Sequence, residues 1–593
     1  MSADTRCFAV KADAFFVRHD DGVWLRNDHG SFSIRGKGAY ELVETVFAHL
    51  DGERSVADLC AGLPDGPSRS VARLIDTLAG NGFLKRVEHP VEHAPDWMRE
   101  RYPAHLAFLD HHADRPVTRM TRVRTRPVLV GGSGVALRAA LDALAEFGIA
   151  TARIVSTDPE AAVVVAEAAE RDPHLAWTLD HADLAAFAEF PDTDEVVLAV
   201  DDADPAALAD LQWRLRATGS PVAVLATVSG YLVAAAPPSG VDWCWECVHR
   251  SVVAAPVGGA TGLAPAATPA ALAALHVAQH VFARLAEVDL DGAGLLTSAE
   301  PLAPVVRTHT GRRHPMCRRH GAATAAVVER VEPVRPDVPA PQDPPRLTAV
   351  SDRIVGATAG WTDQVVGPLL SLGEGEADQL PLSASTCLIA DPVERASRLL
   401  VCRAVSPREA RNQVVLAALE WTAGRLADHG VGPADAAWGA GWTSAEAWYR
   451  AVAAASLALP PASLSWQSAE PHGADPVHGF LTDTLAAEGR PWTATALEAL
   501  PTGLHRARVR TADFEVAEGV GIDAAHAVGN ALLRAVAGRG DAVAHLAPPV
   551  ATWPEAVAAV RAQGRPPEPA DVTHLLPFLG DAACLAAIPG GAR

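Results

Sequence analysis

The chain has no surplus of positive charge, no long apolar run and no cysteine framework, and each absence closes off a class of function. Against 50 lysines and arginines stand 71 aspartates and glutamates, a formal net charge of −21 over 593 residues, with a sequence pI near 5.5. Nucleic-acid phosphates need a concentrated basic face, so a nucleic-acid partner is disfavoured and a neutral or cationic one is easier to accommodate. No stretch approaches the roughly 18 uninterrupted apolar residues of a membrane span, and the opening MSADTRCFAVKADAFF carries no signal-type apolar core. Cys7, Cys60, Cys387, Cys402 and Cys584 are scattered without a framework spacing, which predicts reduced thiols and a cytoplasmic setting. The length is too great for one core, and at about 100–200 residues per domain it predicts three or four units.

The remaining three cysteines are spaced. Cys244-Trp-Glu-Cys247 and, about seventy residues on, Cys317-Arg-Arg-His320 each leave two residues between ligands. One turn then presents both ligands to a single ion, and a second such turn closes a tetrahedral shell with no open water position. The pattern predicts a structural zinc site made by Cys244, Cys247, Cys317 and His320. His249 and His314 stand close enough in sequence to compete for the fourth place, and a Cys-x-x-Cys pair alone also suits redox chemistry.

Residues 13–36 alternate apolar and polar positions around Asp21-Gly22 and His29-Gly30, which predicts a three-stranded antiparallel ribbon. Three helical patterns follow, in KGAYELVETVFAHL, SVADLCAGL and SRSVARLIDTLAGNGFL. Together they predict a small winged-helix domain over residues 1–90. Residues 91–125 are rich in His, Pro and Arg and lack a period, so they read as a connector. From Arg126 the order strand, glycine loop, helix, strand predicts a parallel α/β sheet over residues 126–332, through TARIVSTD, EVVLAVDD, PAALADLQWRLRATG and PVAVLATV. The run EPVRPDVPAPQDPPR holds six prolines, so residues 333–346 read as an extended linker. Residues 347–593 form a separate unit.

The glycine loop, Asp158 after the next strand, Asp201-Asp202 after a later one, and the knuckles PPSGVDWCWEC and HPMCRRHG together resemble the ThiF-like, ubiquitin-activating-enzyme-like fold over about residues 126–330. The resemblance implies a nucleotide loop at Gly131, Gly132, Gly134 and Asp158. Leu137 stands where the dinucleotide fingerprint has its third glycine. The segment STDPEAAVVVAEAAERDPHL lacks the family's Asn-Leu-Arg signature and has no lysine. The loop is therefore read as vestigial, with ATP and Mg not expected to be used.

Residues 10–90 resemble the precursor recognition element of ribosomally made, post-translationally modified peptide (RiPP) pathways. The resemblance implies that a leader peptide adds a strand to the ribbon edge at Ser31, Phe32, Ser33, Ile34 and Arg35 and lays apolar side chains into a groove lined by Val71, Leu74, Ile75 and Leu78. Those four residues would equally suit a core. SPREARNQVVLAALEWTAGRL, with Glu409 and Glu420, and the later GVGIDAAHAVGNALLRAVAGR are similar in order to the ATP-binding helices of YcaO cyclodehydratases. Those enzymes hold magnesium with carboxylates and a glutamine. Here Arg450 and Arg534 stand where acidic residues are expected, and LAAIPGGAR lacks the family's proline-rich tail, so the α+β unit reads as a degenerate YcaO-like domain.

In this order, the three units resemble the Ocin-ThiF-type leader-binding proteins, or F proteins, of thiazole/oxazole-modified microcin and thiopeptide (TOMM) biosynthesis. The resemblance implies a multidomain α/β scaffold that binds the leader of a precursor peptide. Its partners would be a YcaO cyclodehydratase acting on Cys, Ser or Thr, an azoline dehydrogenase, and a second copy in a homodimer. Neither nucleic acid nor membrane is an expected partner. The competing reading is an ATP-using adenylating or cyclodehydrating enzyme. A winged-helix regulator would need a basic recognition face, and helix 68–82 offers only Arg69 and Arg73.

Overall fold

A computed structural model describes residues 4–89, 92–184, 193–202, 204–238, 240–252, 266–290, 295–301, 304–320, 354–461, 465–468, 475–513, 515–538, 542–543, 545–550 and 552–590. The proline-rich run 333–346 lies outside them. No helix among these residues is long and apolar enough to cross a membrane.

In the first unit, strands Phe15–His19, Gly22–Asn27 and Gly30–Arg35 make an antiparallel sheet in chain order. Successive strand side chains point to opposite faces, so Val23 and Leu25 are buried while Arg26 between them and Asn27 is exposed. Helices Ala39–Phe47, Val56–Cys60 and Asp65–Gly80 follow, and their apolar faces share one core with the sheet. A second sheet, in the order Asp51–Ser55, Cys7–Val10, Leu84–Val87, ties the two ends of the unit together. Its strands are too short to show a period in the sequence.

Residues 91–125 are not an aperiodic connector. They form helices Asp96–Arg101, Pro103–His112 and Pro116–Thr125. Pro103 and Pro116 open their helices, where a missing N–H leaves no hydrogen bond unmade. Met98, Tyr102, Leu109, Met120 and Val123 enter the core of the middle unit. Polar side chains masked the helical period because some are buried too: Arg124 Nη1 lies 2.9 Å from Asp172 Oδ2, which also accepts from the Tyr102 hydroxyl at 2.9 Å.

Among the described residues the middle sheet has eight strands, and it is mixed rather than wholly parallel. Val222–Val228, Glu195–Val200, Val128–Ser133, Thr151–Val155 and Ala176–Asp180 are parallel neighbours in that order. Tyr231–Ala235, Leu296–Ala299 and Val306–His309 extend it antiparallel. Every residue of Glu195–Val200 is buried, as expected of a strand covered on both faces. Helices Gly134–Glu146 and Ala267–Leu285 pack into one core, and Pro205–Arg216 packs into the other together with Cys244, Cys247 and Cys317.

Among the described residues the last unit contains three small sheets, and its helices show a repeated start. Ser406, Thr443 and Asp523 each cap a helix by accepting at a side-chain oxygen from the amide three residues on, at Glu409, Glu446 and His526. These helices are Pro407–Ala427, Ser444–Leu457 and Ala524–Ala537. Two of them lie directly on a preceding strand: a Cβ at Gly439 would stand 2.2 Å from Ala451 N, and one at Gly519 2.3 Å from Ala531 N. Only glycine permits that approach. The unit meets the middle sheet at His309, whose Nδ1 lies 2.7 Å from Asp363 Oδ2 and whose Nε2 lies 2.8 Å from Ser298 Oγ.

Candidate binding edge and metal centre

Strand Gly30–Arg35 is one of the two outer strands of the ribbon, Phe15–His19 being the other. Leu25 faces Phe32 and Val23 faces Ile34 across the inner side, and among the described residues no strand pairs with its other edge. Ser31, Ser33 and Arg35 are exposed, whereas Phe32 and Ile34 are half-buried against the core of the unit. The Phe32 ring meets Phe83 edge-on at a centroid distance of 5.5 Å. Beside this pair runs a cleft of about 470 Å³ bounded by the turn at Asn27–Ser31 and by Gly80–Phe83. Asn27 fixes both walls: its Nδ2 donates to Asn81 O at 2.8 Å, and its Oδ1 accepts from the amides of His29 and Gly30 at 3.0 Å each.

Val71, Leu74, Ile75 and Leu78 do not line this cleft. All four are buried in the hydrophobic core, sharing it with Val23 and Leu25. A helix laid across a small sheet buries its apolar stripe there, although Val71 also borders a separate cleft of about 700 Å³ with Leu42, Leu59 and Leu63. The residues missed in the sequence are Asn27, His29, Asn81 and Phe83. The available signal was the Gly80-Asn81-Gly82 break at the helix end, which leaves the turn open beside the edge strand.

The glycine loop ends strand Val128–Ser133 and starts helix Gly134–Glu146. Its free amides are already taken. Gly134 N donates to Asp158 Oδ2 at 2.8 Å, and Val135 N and Ala136 N donate to the two Asp201 oxygens at 2.7 Å each. A helix N-terminus attracts negative charge, and here two carboxylates of the chain accept from its first amides. The Asp201 carboxylate lies so close that a Cβ at Gly134, whose φ is +77°, would stand 2.1 Å from its oxygen. Gly132 is equally tight, its Cβ position falling 1.6 Å from Ala199 O. Gly131 pairs within the sheet, and Leu137 is fully buried.

Cys244, Cys247, Cys317 and His320 converge, with their ligand atoms all within 4.8 Å of one another. The Cys244 sulfur lies 3.9 Å from that of Cys247 and 3.7 Å from that of Cys317, and the Cys247 sulfur 3.4 Å from His320 Nδ1. Disulfide sulfurs sit near 2.05 Å, so these are free thiols. A tetrahedral shell with Zn–S bonds of about 2.3 Å puts its sulfurs about 3.8 Å apart, and the donor set fits zinc on that measure. The neighbouring Cys247 and Cys317 sulfurs lower the pKa of the Cys244 thiol, which favours the thiolate a metal requires. Neither competing histidine is in the cluster. His314 is buried and accepts from Met316 N at 3.1 Å, and burial together with Arg395 holds His249 down at about 4. Cys244 precedes helix Trp245–Ser251, whose first amide donates to Gln212 Oε1 at 2.8 Å.

In the last unit the helix-start repeat gathers side chains at the third and seventh positions after each cap: Glu409 and Gln413, Glu446 and Arg450, His526 and Asn530. Positions four apart share one helix face. Arg450 Nε lies 2.8 Å and its Nη2 3.1 Å from the two Glu420 oxygens, and its Nη1 bonds Gln413. Burial lifts Glu446 to about 7, against the pull of Arg450 and a hydrogen bond from Trp442 N at 2.9 Å. Burial alone lifts Glu409 to about 7. Burial lowers the basicity of Arg534. Asn530 instead fastens the chain, donating to Val520 O at 2.9 Å and accepting from Leu546 N at 2.8 Å.

No protein-family model matches this chain, and no curated protein matches it. Solved structures do. A heterocyclase in complex with substrate and cofactor aligns over 89% of this chain and 82% of its own, at 13% identity and a TM-score of 0.53. The chain shares its overall fold with that heterocyclase. MccB of E. coli aligns over 53% of this chain and 96% of its own, at 16% identity and a TM-score of 0.41. MccB with ATP bound gives 15% identity and a TM-score of 0.39 over the same share of this chain.

Proposed function

We propose that this chain is a non-catalytic scaffold of RiPP biosynthesis. It binds the leader of a ribosomally made precursor along strand Gly30–Arg35 and presents the core peptide to a separate YcaO cyclodehydratase, which forms azolines from Cys, Ser or Thr in a thiazole/oxazole or thiopeptide pathway. The observation that carries this reading is the unpaired edge of Ser31–Arg35 beside the cleft at Phe32 and Phe83. An extended peptide gains main-chain hydrogen bonds from such an edge and specificity from side-chain pockets next to it. The shared fold with a heterocyclase solved with its substrate supports the pathway class. Holding the leader raises the effective concentration of the core peptide at the partner enzyme, so the core sequence is free to vary.

The reading in which this chain itself uses ATP meets two obstacles. Asp158 and Asp201 fill the helix N-terminus of the middle unit, and Arg450 occupies the carboxylate and amide groups that would hold magnesium in the last. The deciding experiment is calorimetric titration of the purified protein with the leader peptide encoded beside its gene, and separately with ATP and magnesium. Saturable leader binding with a flat ATP titration is expected. Saturable ATP binding, or ATP consumption by the protein alone in the presence of precursor, would replace the scaffold reading with the enzymatic one.

A further inference from the structure

The knuckle Cys317-Arg-Arg-His320 does more than close a shell, because it aims two arginines into a cleft. The cleft, of about 450 Å³, lies between helices Pro205–Arg216 and Trp245–Ser251, the two knuckle arginines, and the loop at Pro392–Arg395 of the last unit. In a chain of net charge −21 it is lined by four arginines, Arg250, Arg318, Arg319 and Arg395.

The three carboxylates in its wall are committed. Asp204 Oδ1 caps its own helix at Ala206 N, 3.0 Å away. Asp210 pairs with Arg319. Glu246 accepts from Arg250 Nε at 2.9 Å and from the Arg318 amide at 3.4 Å. Among the described residues, Arg395 hydrogen-bonds the His249 ring and Ser229 Oγ. Among the described residues, neither the Arg318 guanidinium nor that of Arg395 has a carboxylate partner. These two groups come from different units and face one cleft, with apolar walls at Pro205, Ala206, Ala209, Pro392 and Val393.

We propose that this cleft is a second peptide site, taking an acidic side chain through Arg318 and Arg395. A guanidinium is a planar fork of N–H donors that can grip two oxygens of a carboxylate or of a phosphate. The apolar walls favour a ligand with an aliphatic stem, a glutamate or aspartate flanked by apolar residues, over a bare ion. This cleft shares no lining residue with the Gly30–Arg35 edge, so its peptide contact can be tested apart from the leader-binding reading.

The test uses the full-length, zinc-loaded protein and three probes: acetyl-Leu-Glu-Glu-Leu-amide, the corresponding glutamine peptide, and inorganic phosphate. Saturable binding of the glutamate peptide is expected, weakening as salt rises and falling at least about tenfold in the Arg318→Gln/Arg395→Gln double variant, because charge-assisted hydrogen bonds are lost. The variant's zinc content and melting temperature should match the parent. Phe32→Pro should leave this binding intact. Equal binding of the glutamine peptide, phosphate binding as tight as the peptide's, no effect of the double variant, loss in Phe32→Pro, or no saturable binding at millimolar peptide would each overturn the assignment.

Discussion

Arg450 and Glu420 form a two-point ion pair in the interior of the last unit, with guanidinium nitrogens 2.8 and 3.1 Å from the two carboxylate oxygens. Arg450 is only 6% exposed, so its charge depends on that partner. Removing one member of a buried pair strands the other, at a cost of about 3–5 kcal/mol. Glu420→Ala should therefore lower the denaturation midpoint sharply, while Arg450→Met, which removes the buried cation itself, should cost less. Equal losses from both, measured by urea unfolding, would show that the pair does not hold the unit in this way.

Leader affinity should depend on Phe32. Phe32 faces Leu25 in a hydrogen-bonded pair of the ribbon, so proline there breaks the pairing that holds the outer strand in register, and it takes away the ring that meets Phe83. Phe32→Pro is expected to weaken leader binding by about tenfold or more, a loss of roughly 1.4 kcal/mol, with zinc content unchanged. Affinity within twofold of the parent, in a variant shown by circular dichroism to be folded, would move the leader elsewhere.

Metal content should be about one zinc per chain, set by the four converging ligands. Cys244→Ser is expected to lose the metal and to melt the middle unit early, because metal binding supplies folding free energy. A chelator should do the same to the parent. A cooperatively folded, metal-free parent with an unchanged melting temperature would remove the structural role.

Asp201 caps two amides of helix Gly134–Glu146. Losing such a cap costs typically about 1 kcal/mol, so Asp201→Ala should be modestly less stable than the parent. The parent should show no saturable heat on titration with ATP and magnesium, since the anion site is filled from within.

Glu446 gives stability a distinctive pH dependence. Burial raises its folded pKa to about 7, above the roughly 4.3 of an unfolded glutamate. The folded state therefore binds a proton that the unfolded state has already released, and stability falls as pH rises from about 4 to 7. Glu446→Gln keeps an acceptor for Trp442 N and should flatten that fall, by an amount on the order of 3 kcal/mol at pH 8. Parallel pH profiles for parent and variant would contradict the raised pKa.

Much of the local structure was legible in the sequence. Alternation around Asp21-Gly22 and His29-Gly30 marks the ribbon, and helical periodicity marks Asp65–Gly80 and Pro407–Ala427. The stretch 91–125 was not legible, because Arg124 and Tyr102 satisfy a buried partner at Asp172 and so break the apolar period. Nor was the antiparallel part of the middle sheet, whose strands look like any other buried apolar run.

By itself the sequence determined which side chains can act. Ligand spacing singles out Cys244, Cys247 and Cys317, glycine placement marks the turn into helix Gly134–Glu146, and strand alternation marks Ser31–Arg35. These depend on neighbours within a few residues. Tertiary structure alone decided the choice of His320 over His249 and His314, the capping of the glycine loop by Asp201, the pairing of Arg450 with Glu420, and the burial of Val71, Leu74, Ile75 and Leu78 as core. Each of these joins or sorts groups by position in the fold. Distances in space and removal from water set their roles, and local periodicity encodes neither.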